Sequence, residues 1–395
     1  MQKPVYVTGV GIVSSIGMSV EETLSALKNR RSGMAPVTRF DTIHRNIPVC
    51  EVKYGNDELQ KMLRIPENST IYSRTSLLGL IAARSAMQSS RSKTPEERIA
   101  LVSATTVGGM DYNEIHYRDL SAGKGNCEAM EVLDCADAAQ KIAADLGISS
   151  RVTTVSTACS SSANAIIVGA RMIRCGLADK VLAGGTDALT RFALNGFRSL
   201  EIVSPTGCKP FDANRNGVTL GEGAAYLVLE SAATACPDNV LCTLSGAADT
   251  NEAYHQTASS PEGEGAAMSM RKALQSAGLK AGDIDYINAH GTGTAVNDLS
   301  EGRAVESIFG SRIPPLSSTK GYTGHTLAAA GAIEAVISIL AIRHRMVFPN
   351  IRFSERMPEL SFRPEVALTS LPVRHVMSNS LGFGGSNSSL IFSAY

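Results

Sequence analysis

The chain has 395 residues, of which 44% are hydrophobic and 19% charged, so it is long enough for two domains and too apolar to be a disordered chain. Its 37 basic and 37 acidic residues give zero formal net charge, which argues against a broad nucleic-acid-binding surface. The eight cysteines form no C-x-x-C pair and are too few for a disulfide scaffold, so a zinc ribbon and a small secreted framework are both excluded.

The N-terminal stretch MQKPVYVTGVGIVSSIG predicts a strand that enters a glycine turn. It lacks the apolar core and small-residue cleavage site of a secretory signal peptide. We find no apolar stretch of about 18 residues or more in the sequence and therefore expect no membrane span. The predicted location is the reducing cytoplasm.

Short apolar runs then alternate with helical patterns along the first half of the chain. Residues 20–28 predict a helix with an acidic start and a basic end, and residues 71–88 predict another. The run 99–109 predicts a buried strand and a glycine turn, the spacing over 163–173 is helical, and 180–188 is again a strand and a turn. This alternation predicts an α/β fold with mostly parallel buried strands.

The second half repeats this order of elements. SSTKGYTGHT precedes the helical pattern of residues 328–345, and HVMSNSLGFGG then predicts a strand and a glycine turn. The opening strand has a looser counterpart in LCTLSGAADT. The repeat therefore predicts that each half forms one sheet layer and places a reactive side chain at the start of its central helix. The Pro-containing stretch 231–239 marks the seam, which gives predicted halves over 1–235 and 236–395.

Four side chains lie in settings that suit chemistry. Cys159, in VSTACSSSANAI, precedes a helical pattern, where the helix dipole would lower the thiol pKa below its free value of about 8.5. His290 and His325 lie in glycine- and threonine-rich loops that let a ligand approach closely, and Lys320 precedes His325 by five positions. The loop GFGGSN, residues 382–387, has backbone N–H groups that could form an oxyanion hole.

Each of these features also has a structural interpretation. Single cysteines and histidines are more often core or surface residues than catalytic ones, and glycine-rich loops can be plain turns. The segment GTGT lacks the strand, helix and lysine of a phosphate-binding loop, so nucleotide binding is excluded. No His, Asp and Glu cluster has metal-ligand spacing, so we expect no metal.

Taken in order, STACSSSANAI, NAHGTGTAVNDLSE, SSTKGYTGHTLAAAGAIEA and NSLGFGGSNSSLIF resemble the β-ketoacyl-acyl-carrier-protein synthases. The sequence is similar to the elongating condensing enzymes that use Cys-His-His, and the resemblance covers nearly the whole chain. Initiating synthases and thiolases share the fold but have Asn or a second Cys where His325 stands here. The resemblance implies a thiolase-like, duplicated five-layered α/β/α/β/α sandwich.

The resemblance also implies a ping-pong condensation. An acyl chain passes from acyl carrier protein to the nucleophile Cys159, and malonyl carrier protein then loses carbon dioxide and attacks the thioester, which extends the chain by two carbons. His290 and His325 match the pair that supports decarboxylation. The implied partners are acyl carrier proteins and a second subunit in a homodimer, or in a heterodimer. No metal or organic cofactor is implied.

Further positions match the supporting machinery of the family. The backbone N–H groups of Cys159 and Phe383 match its oxyanion hole, and Phe383 also matches a gate. Lys320 and Glu334 match supporting charges beside His325, while Thr292 and Thr294 match the hydroxyls that bind pantetheine.

The sequence departs from the usual elongating pattern at positions that bear on the choice of acyl substrate. Leu381 stands where Phe is common and Ala295 where Pro is common. The segment GGMDYNEI matches the dimer-interface region that closes the acyl tunnel, so we expect Met110, Asp111 and Tyr112 to narrow its far end. An unpaired Asp111 there would be costly, so we expect it to find a partner or to face solvent.

These departures leave the pathway open. The main prediction is fatty-acid elongation, and a dedicated enzyme for polyene or polyketide chains is the alternative. A non-catalytic partner subunit of the chain-length-factor kind is a further alternative, although such subunits usually lack the nucleophilic Cys that is present here as Cys159.

Overall fold

The computed structural model describes residues 3–66, 69, 71–90, 98–124 and 128–395. Within them the strands are β1 (Val5–Ser14), β2 (Ala35–Pro36), β3 (Pro48–Val49), β4 (Ile99–Ala104), β5 (Arg151–Val155), β6 (Lys180–Asp187), β7 (Gly223–Ser231), β8 (Cys242–Asn251), β9 (Tyr286–Asn288), β10 (Leu316–Ser317), β11 (Met346–Val347), β12 (Thr369–Ser370), β13 (His375–Gly382) and β14 (Ser386–Ser393).

The helices over the same residues are α1 (Val20–Lys28), α2 (Asn56–Leu63), α3 (Arg74–Ser89), α4 (Met110–Ser121), α5 (Glu128–Glu131), α6 (Cys135–Leu146), α7 (Ser161–Arg174), α8 (Arg191–Ser199), α9 (Glu264–Ala277), α10 (Ala295–Phe309), α11 (Lys320–Thr323) and α12 (Ala330–His344). The predicted helix at 20–28 is confirmed, and Ser19 caps it by accepting from the Glu22 N–H. The helix predicted at 71–88 begins three residues later, after its cap Ser73.

The two halves have the same strand topology, which supports the internal repeat. The large sheet runs β5-β4-β6-β7-β1 and continues as β8-β14-β13-β9-β10. In each half the outer three strands are parallel and the inner two join antiparallel. A short antiparallel contact between β1 and β8 connects the halves. The boundary between 235 and 236 falls between β7 and β8 and stays a predicted domain division.

The prediction of mostly parallel strands is wrong. Of the neighbouring strand pairs that the described residues form in this sheet, four are parallel and five antiparallel. The reason is visible in the second half, where only residues 383–385 separate β13 from β14. So short a connection cannot cross over the sheet and therefore forces antiparallel pairing.

Helices pack in three layers around the sheet halves. The pair α3 and α6 covers the first half, α9 and α10 cover the second, and α7 packs on α12 between them. The observed order of layers is therefore helix, sheet, helix, sheet, helix, as the resemblance implied. Since α7 and α12 form the central layer, the segments that lead directly into these two helices lie between the two halves.

The expectation that no apolar stretch reaches 18 residues is wrong. Within the described residues, Leu327–His344 is long and apolar enough to cross a membrane by length and composition. However, 89% of this stretch is buried inside the protein, and every α12 residue from Ala330 to Ile342 is buried. A helix that is apolar on all sides is what the centre of a five-layered fold requires.

Candidate active site

Cys159 lies at the junction between β5 and α7, two residues before the helix begins. The preceding residue, Ala158, has a left-handed backbone with φ of 52°. Gly382, at the end of β13, packs so closely here that an added Cβ would lie 3.2 Å from the Cys159 nitrogen. The two halves of the protein therefore meet at this cysteine, whose residue is only 7% exposed.

Two backbone N–H groups point at the Cys159 sulfur. They belong to Cys159 itself and to Phe383 in the 383–385 turn. The resemblance to the condensing enzymes implied that these same two groups form the oxyanion hole. Their convergence on one point gives the site a pair of donors for a thioester oxygen.

The thiol of Cys159 is not activated in the free protein. Burial raises its pKa to about 11, while the Lys320 charge and the two N–H groups lower it by less. The expectation of a pKa below 8.5 is therefore wrong, because burial raises the thiol pKa by more than the Lys320 charge and the two N–H groups lower it.

We expect the rate of Cys159 alkylation by iodoacetamide to rise with pH throughout the range 7 to 9. A thiol with a pKa near 11 gains about tenfold in thiolate for each pH unit over that range. Peptide-level mass spectrometry would measure the rate, with the exposed Cys175 as the internal comparison. A plateau for Cys159 at or below pH 8 would contradict the raised pKa.

Both predicted histidines converge on the cysteine. The ligand atoms of Cys159, His290 and His325 all lie within 4.8 Å of one another, and all three residues are buried. The histidine rings are 5.3 Å apart between centroids and nearly perpendicular. His290 follows β9, whereas the backbone of His325 is held in a bridge to Leu220.

The hydrogen bonds fix the same tautomer in both rings. The Leu327 N–H donates to Nδ1 of His325 at 3.1 Å. The Lys320 ammonium, which can only donate, lies 3.1 Å from Nδ1 of His290. Burial, followed by the Lys320 charge, places the pKa of each histidine well below its usual value, so both rings are neutral. A neutral ring that accepts at Nδ1 carries its hydrogen on Nε2, so each ring offers one N–H to the site.

The same hydrogen bonds oppose a metal ion at this cluster. A soft divalent cation would suit one thiolate and two imidazoles. Binding through Nε2 would move each ring hydrogen to Nδ1, where it would face the Leu327 N–H or the Lys320 ammonium. The donor set therefore fits hydrogen bonding to an anionic oxygen better than it fits a cation.

Lys320 and Glu334 form a buried ion pair beneath the histidines. Lys320 Nζ donates to a Glu334 carboxylate oxygen and, at 2.6 Å, to the His290 carbonyl. Burial raises the pKa of Glu334 to about 7, with the Lys320 charge acting in the opposite direction. The Lys320 charge also acts on His325, as the sequence predicted, and its hydrogen bonds to His290 are an additional contact that the sequence did not indicate.

Sequence reasoning missed two buried carboxylates that hold the His290 loop. Glu301 accepts from the N–H groups of His290 and Gly291, both at 2.9 Å, and burial raises its pKa to about 7. Asp298 accepts from Gly293 N–H at 3.1 Å. Their spacing of three on α10, directly after the glycine loop, was a usable signal, since such residues share a helix face.

A third missed carboxylate, Asp187, lies at the end of β6. It accepts from the N–H of Ala328 at 2.8 Å and from Thr106 at 2.6 Å. It is fully buried, and burial raises its pKa. Asp187 thereby ties the turn after His325 to the loop after β4, a contact between distant segments that the sequence does not signal.

A cavity of about 290 Å³ opens above this cluster. Thr292 and Thr294 line it, with their hydroxyl oxygens 2.8 Å apart. Phe383 lines it as well, and its ring stacks on Phe197 from α8 with centroids 5.8 Å apart. The structure therefore brings together the residues predicted for the nucleophile, the two histidines, the pantetheine hydroxyls and the gate.

The predicted tunnel residues lie elsewhere, at the start of α4. Met110 and Tyr112 do not line this cavity. Asp111 has the expected partner, because its carboxylate accepts from the Arg74 N–H at 2.8 Å. Burial raises the pKa of Asp111 to about 6. The role of Met110 and Tyr112 in substrate choice stays a prediction.

Comparison with known proteins identifies relatives along the whole chain. The N-terminal domain of the Beta-ketoacyl synthase family matches residues 2–235, and the C-terminal domain matches 241–354. A "3-oxoacyl-[acyl-carrier-protein] synthase 2" of Staphylococcus aureus (strain COL) is 34% identical, over 100% of this chain and 99% of its own length.

Solved structures agree with this. The ishigamide ketosynthase/chain length factor is similar with a TM-score of 0.91 and 32% identity, with both chains fully covered. A type II PKS ketosynthase, AntDE, solved in complex with its acyl-carrier protein AntF, is similar with a TM-score of 0.86 and 27% identity, again over both full chains.

Proposed function

The chain belongs to the β-ketoacyl synthase family, and from that premise we propose that it is an elongating 3-oxoacyl-acyl-carrier-protein synthase of fatty-acid synthesis. The observation that carries the proposal is the buried cluster of one thiol and two neutral histidines, each of which offers an Nε2 hydrogen. The enzyme is an acyltransferase that acts on two thioester substrates.

The first step is the transfer of an acyl group to Cys159. The sulfur attacks the carbonyl carbon of the acyl carrier thioester, while the N–H groups of Cys159 and Phe383 stabilise the oxygen. A new carbon–sulfur bond forms, the old one breaks, and the thiol proton leaves with the carrier thiol.

The second step is decarboxylative condensation. The malonyl group loses carbon dioxide, and the electron pair of the broken bond forms an enolate whose oxygen accepts from Nε2–H of His290 and His325. The enolate carbon attacks the Cys159 thioester, the carbon–sulfur bond breaks, and the sulfur leaves as a thiolate that takes up a proton from water. The product is a β-ketoacyl thioester two carbons longer. Neutral donors suit this step because they stabilise the developing oxyanion without first giving up a proton.

Acyl carrier protein is the proposed partner. The similar ketosynthase AntDE was solved with its acyl-carrier protein, which supports the same kind of partner here. The cavity reaches the surface beside Thr292 and Thr294, which would bind the amide groups of the pantetheine arm.

We also propose a dimer formed through β5. This strand ends the ten-stranded sheet and leaves one row of backbone groups for another strand. Its Arg151 and Val152 are exposed, and so are the large apolar residues Ile115 and Tyr117 of α4. A second copy of this chain is the proposed partner, and a chain-length-factor subunit is the alternative, as in the ishigamide ketosynthase/chain length factor.

A polyene or polyketide pathway is the second candidate. It is favoured by the structural similarity to the ishigamide ketosynthase/chain length factor and to AntDE. A non-catalytic subunit is opposed by the complete cluster of Cys159, His290 and His325.

The function is tested by incubating the protein with acyl carrier proteins that bear chains of different length and unsaturation, followed by malonyl carrier protein. Intact-protein mass spectrometry reads the load on residue 159, and the carrier product gains two carbons. Transfer of saturated chains supports fatty-acid elongation, whereas exclusive transfer of conjugated chains supports the polyene pathway. Absence of both loading and condensation would contradict the proposal.

We expect medium-length or polar-conjugated acyl chains to load faster than long saturated ones, because Met110 and Tyr112 narrow the distal acyl tunnel. Burial of one methylene contributes about 0.8 kcal/mol, so a few blocked methylenes change selectivity strongly. Met110→Ala or Tyr112→Ala should shift loading toward longer chains, with Leu177→Ala, an exposed position after α7, as control. Equal loading of sixteen-carbon and eight-carbon saturated chains by the unmodified enzyme would refute this.

A further inference from the structure

The cavity above Cys159 has a buried end and a mouth. Cys159, His290 and His325 form its buried end, whereas the lining residues Asn216 and Val296 are exposed. Among the lining residues that the structure describes, only Arg215 and Glu201 carry a full charge. At the mouth of the cavity, an anionic group of a ligand therefore meets Arg215 as the lining cation among the described residues, whereas the Lys320 charge acts at the buried end.

The guanidinium of Arg215 is held in place by backbone carbonyls, and its charge also acts on the buried Asp298 carboxyl, where it opposes the rise in pKa that burial causes. Its guanidinium donates from Nε to the Thr294 carbonyl at 3.1 Å, from Nη1 to the Asp212 carbonyl at 3.1 Å and from Nη2 to the Ala295 carbonyl at 2.9 Å. These contacts use three of its five N–H donors. No ion pair of Arg215 occurs within the described part of the chain, in contrast to Arg74, which is paired with Glu222.

The position of the Arg215 guanidinium is fixed relative to the threonines of the cavity. Two of its hydrogen bonds hold the Thr294–Ala295 backbone, and the hydroxyls of Thr292 and Thr294 are joined by their own hydrogen bond. A ligand that uses these hydroxyls would therefore meet the guanidinium at a constant separation. Preorganised guanidinium donors favour phosphate oxygens, which accept two N–H groups at once.

We propose that Arg215 binds the phosphodiester of the 4′-phosphopantetheine arm that carries the malonyl or acyl thioester. This rests on the proposed function, since it assigns the phosphate of the same substrate. Arg215 is then a binding residue at the mouth, remote from the reacting atoms. Its loss weakens binding of phosphorylated substrates and leaves the bond-making steps at Cys159 unchanged.

The test compares malonyl-4′-phosphopantetheine with malonyl-pantetheine, which lacks the phosphate, as extender substrates for the acyl-loaded enzyme. The unmodified enzyme should show a KM about tenfold or more lower for the phosphorylated compound, the size expected of a charge-assisted hydrogen bond. Arg215→Gln should remove this difference by raising only the phosphorylated KM, at similar kcat. Arg215→Lys should retain part of it, because the charge remains without the planar donor pair.

Arg352→Gln is the matched control. Arg352 also donates to backbone carbonyls, those of Cys208 and Thr206, but it does not line the cavity. This variant should keep the full preference for the phosphorylated substrate.

Three results would overturn the proposal. The unmodified enzyme could show the same KM for both compounds, or Arg215→Gln could raise both KM values equally, which would make Arg215 a structural tie for residues 294–295. An effect of Arg215→Gln confined to the intact malonyl carrier protein would instead assign the contact to a carboxylate of the carrier. Failure of the unmodified enzyme to condense with malonyl carrier protein would refute the proposed function itself.

Discussion

Replacement of Cys159 by alanine is expected to abolish condensation, by at least about 10³-fold, because the side chain that forms the acyl-enzyme is removed. The fold should survive, since the change deletes one buried atom, and we expect the free energy of unfolding to fall by about 1 kcal/mol. Intact-protein mass spectrometry after incubation with acyl carrier protein would show no covalent adduct on the variant.

The control for this experiment is Cys175→Ala, which removes an exposed thiol at the end of α7. It should load and condense as the unmodified enzyme does. A persisting acyl adduct on Cys159→Ala would place the nucleophile elsewhere. Cys159→Gln is expected to decarboxylate malonyl carrier protein without condensing, because a side-chain amide can occupy the acyl site and accept from the N–H groups of Cys159 and Phe383.

The parts of the fold that depend on local chain chemistry were predictable. The helix at 20–28 has its cap, its acidic start and its basic end within a few residues, and all are found in place. The repeat was also visible, because each half orders its strands and central helix alike along the chain. Strand direction was not, since β7 and β1 pair across the large sequence separation between Val5 and Ser231. No residue pattern specifies such a partner.

The candidate site likewise has features that the sequence could predict and features that it could not. Motif residues such as Cys159 and His290 could be named from the sequence because loop composition marks them. The thiol pKa could not, because a helix dipole is a local feature whereas burial depends on how both halves close over the sulfur. The contact of Lys320 with His290 could not be predicted for a related reason: proximity to His325 in the chain gave no information about a contact with His290 across the fold.

Alanine at His290 or at His325 is expected to reduce malonyl decarboxylation by about 10²-fold or more, because each change removes one Nε2–H donor from the enolate oxygen. Acyl transfer to Cys159 should fall less, since its oxyanion donors are backbone N–H groups that neither substitution removes. The two half-reactions would be measured separately, as carbon dioxide release from malonyl carrier protein and as mass gain on Cys159.

The matched control is His375→Ala. His375 is a half-buried residue at the start of β13, it lies outside the cavity, and its Nδ1 is hydrogen-bonded to the Ser393 hydroxyl. It should leave both half-reactions unchanged. Of the two catalytic positions, His290 should be the more sensitive in stability, because its loss also leaves the Lys320 ammonium without one of its buried acceptors. If either alanine variant lost acyl transfer while decarboxylation stayed normal, the roles would be reversed, and that histidine would serve Cys159 as a proton acceptor through a different tautomer.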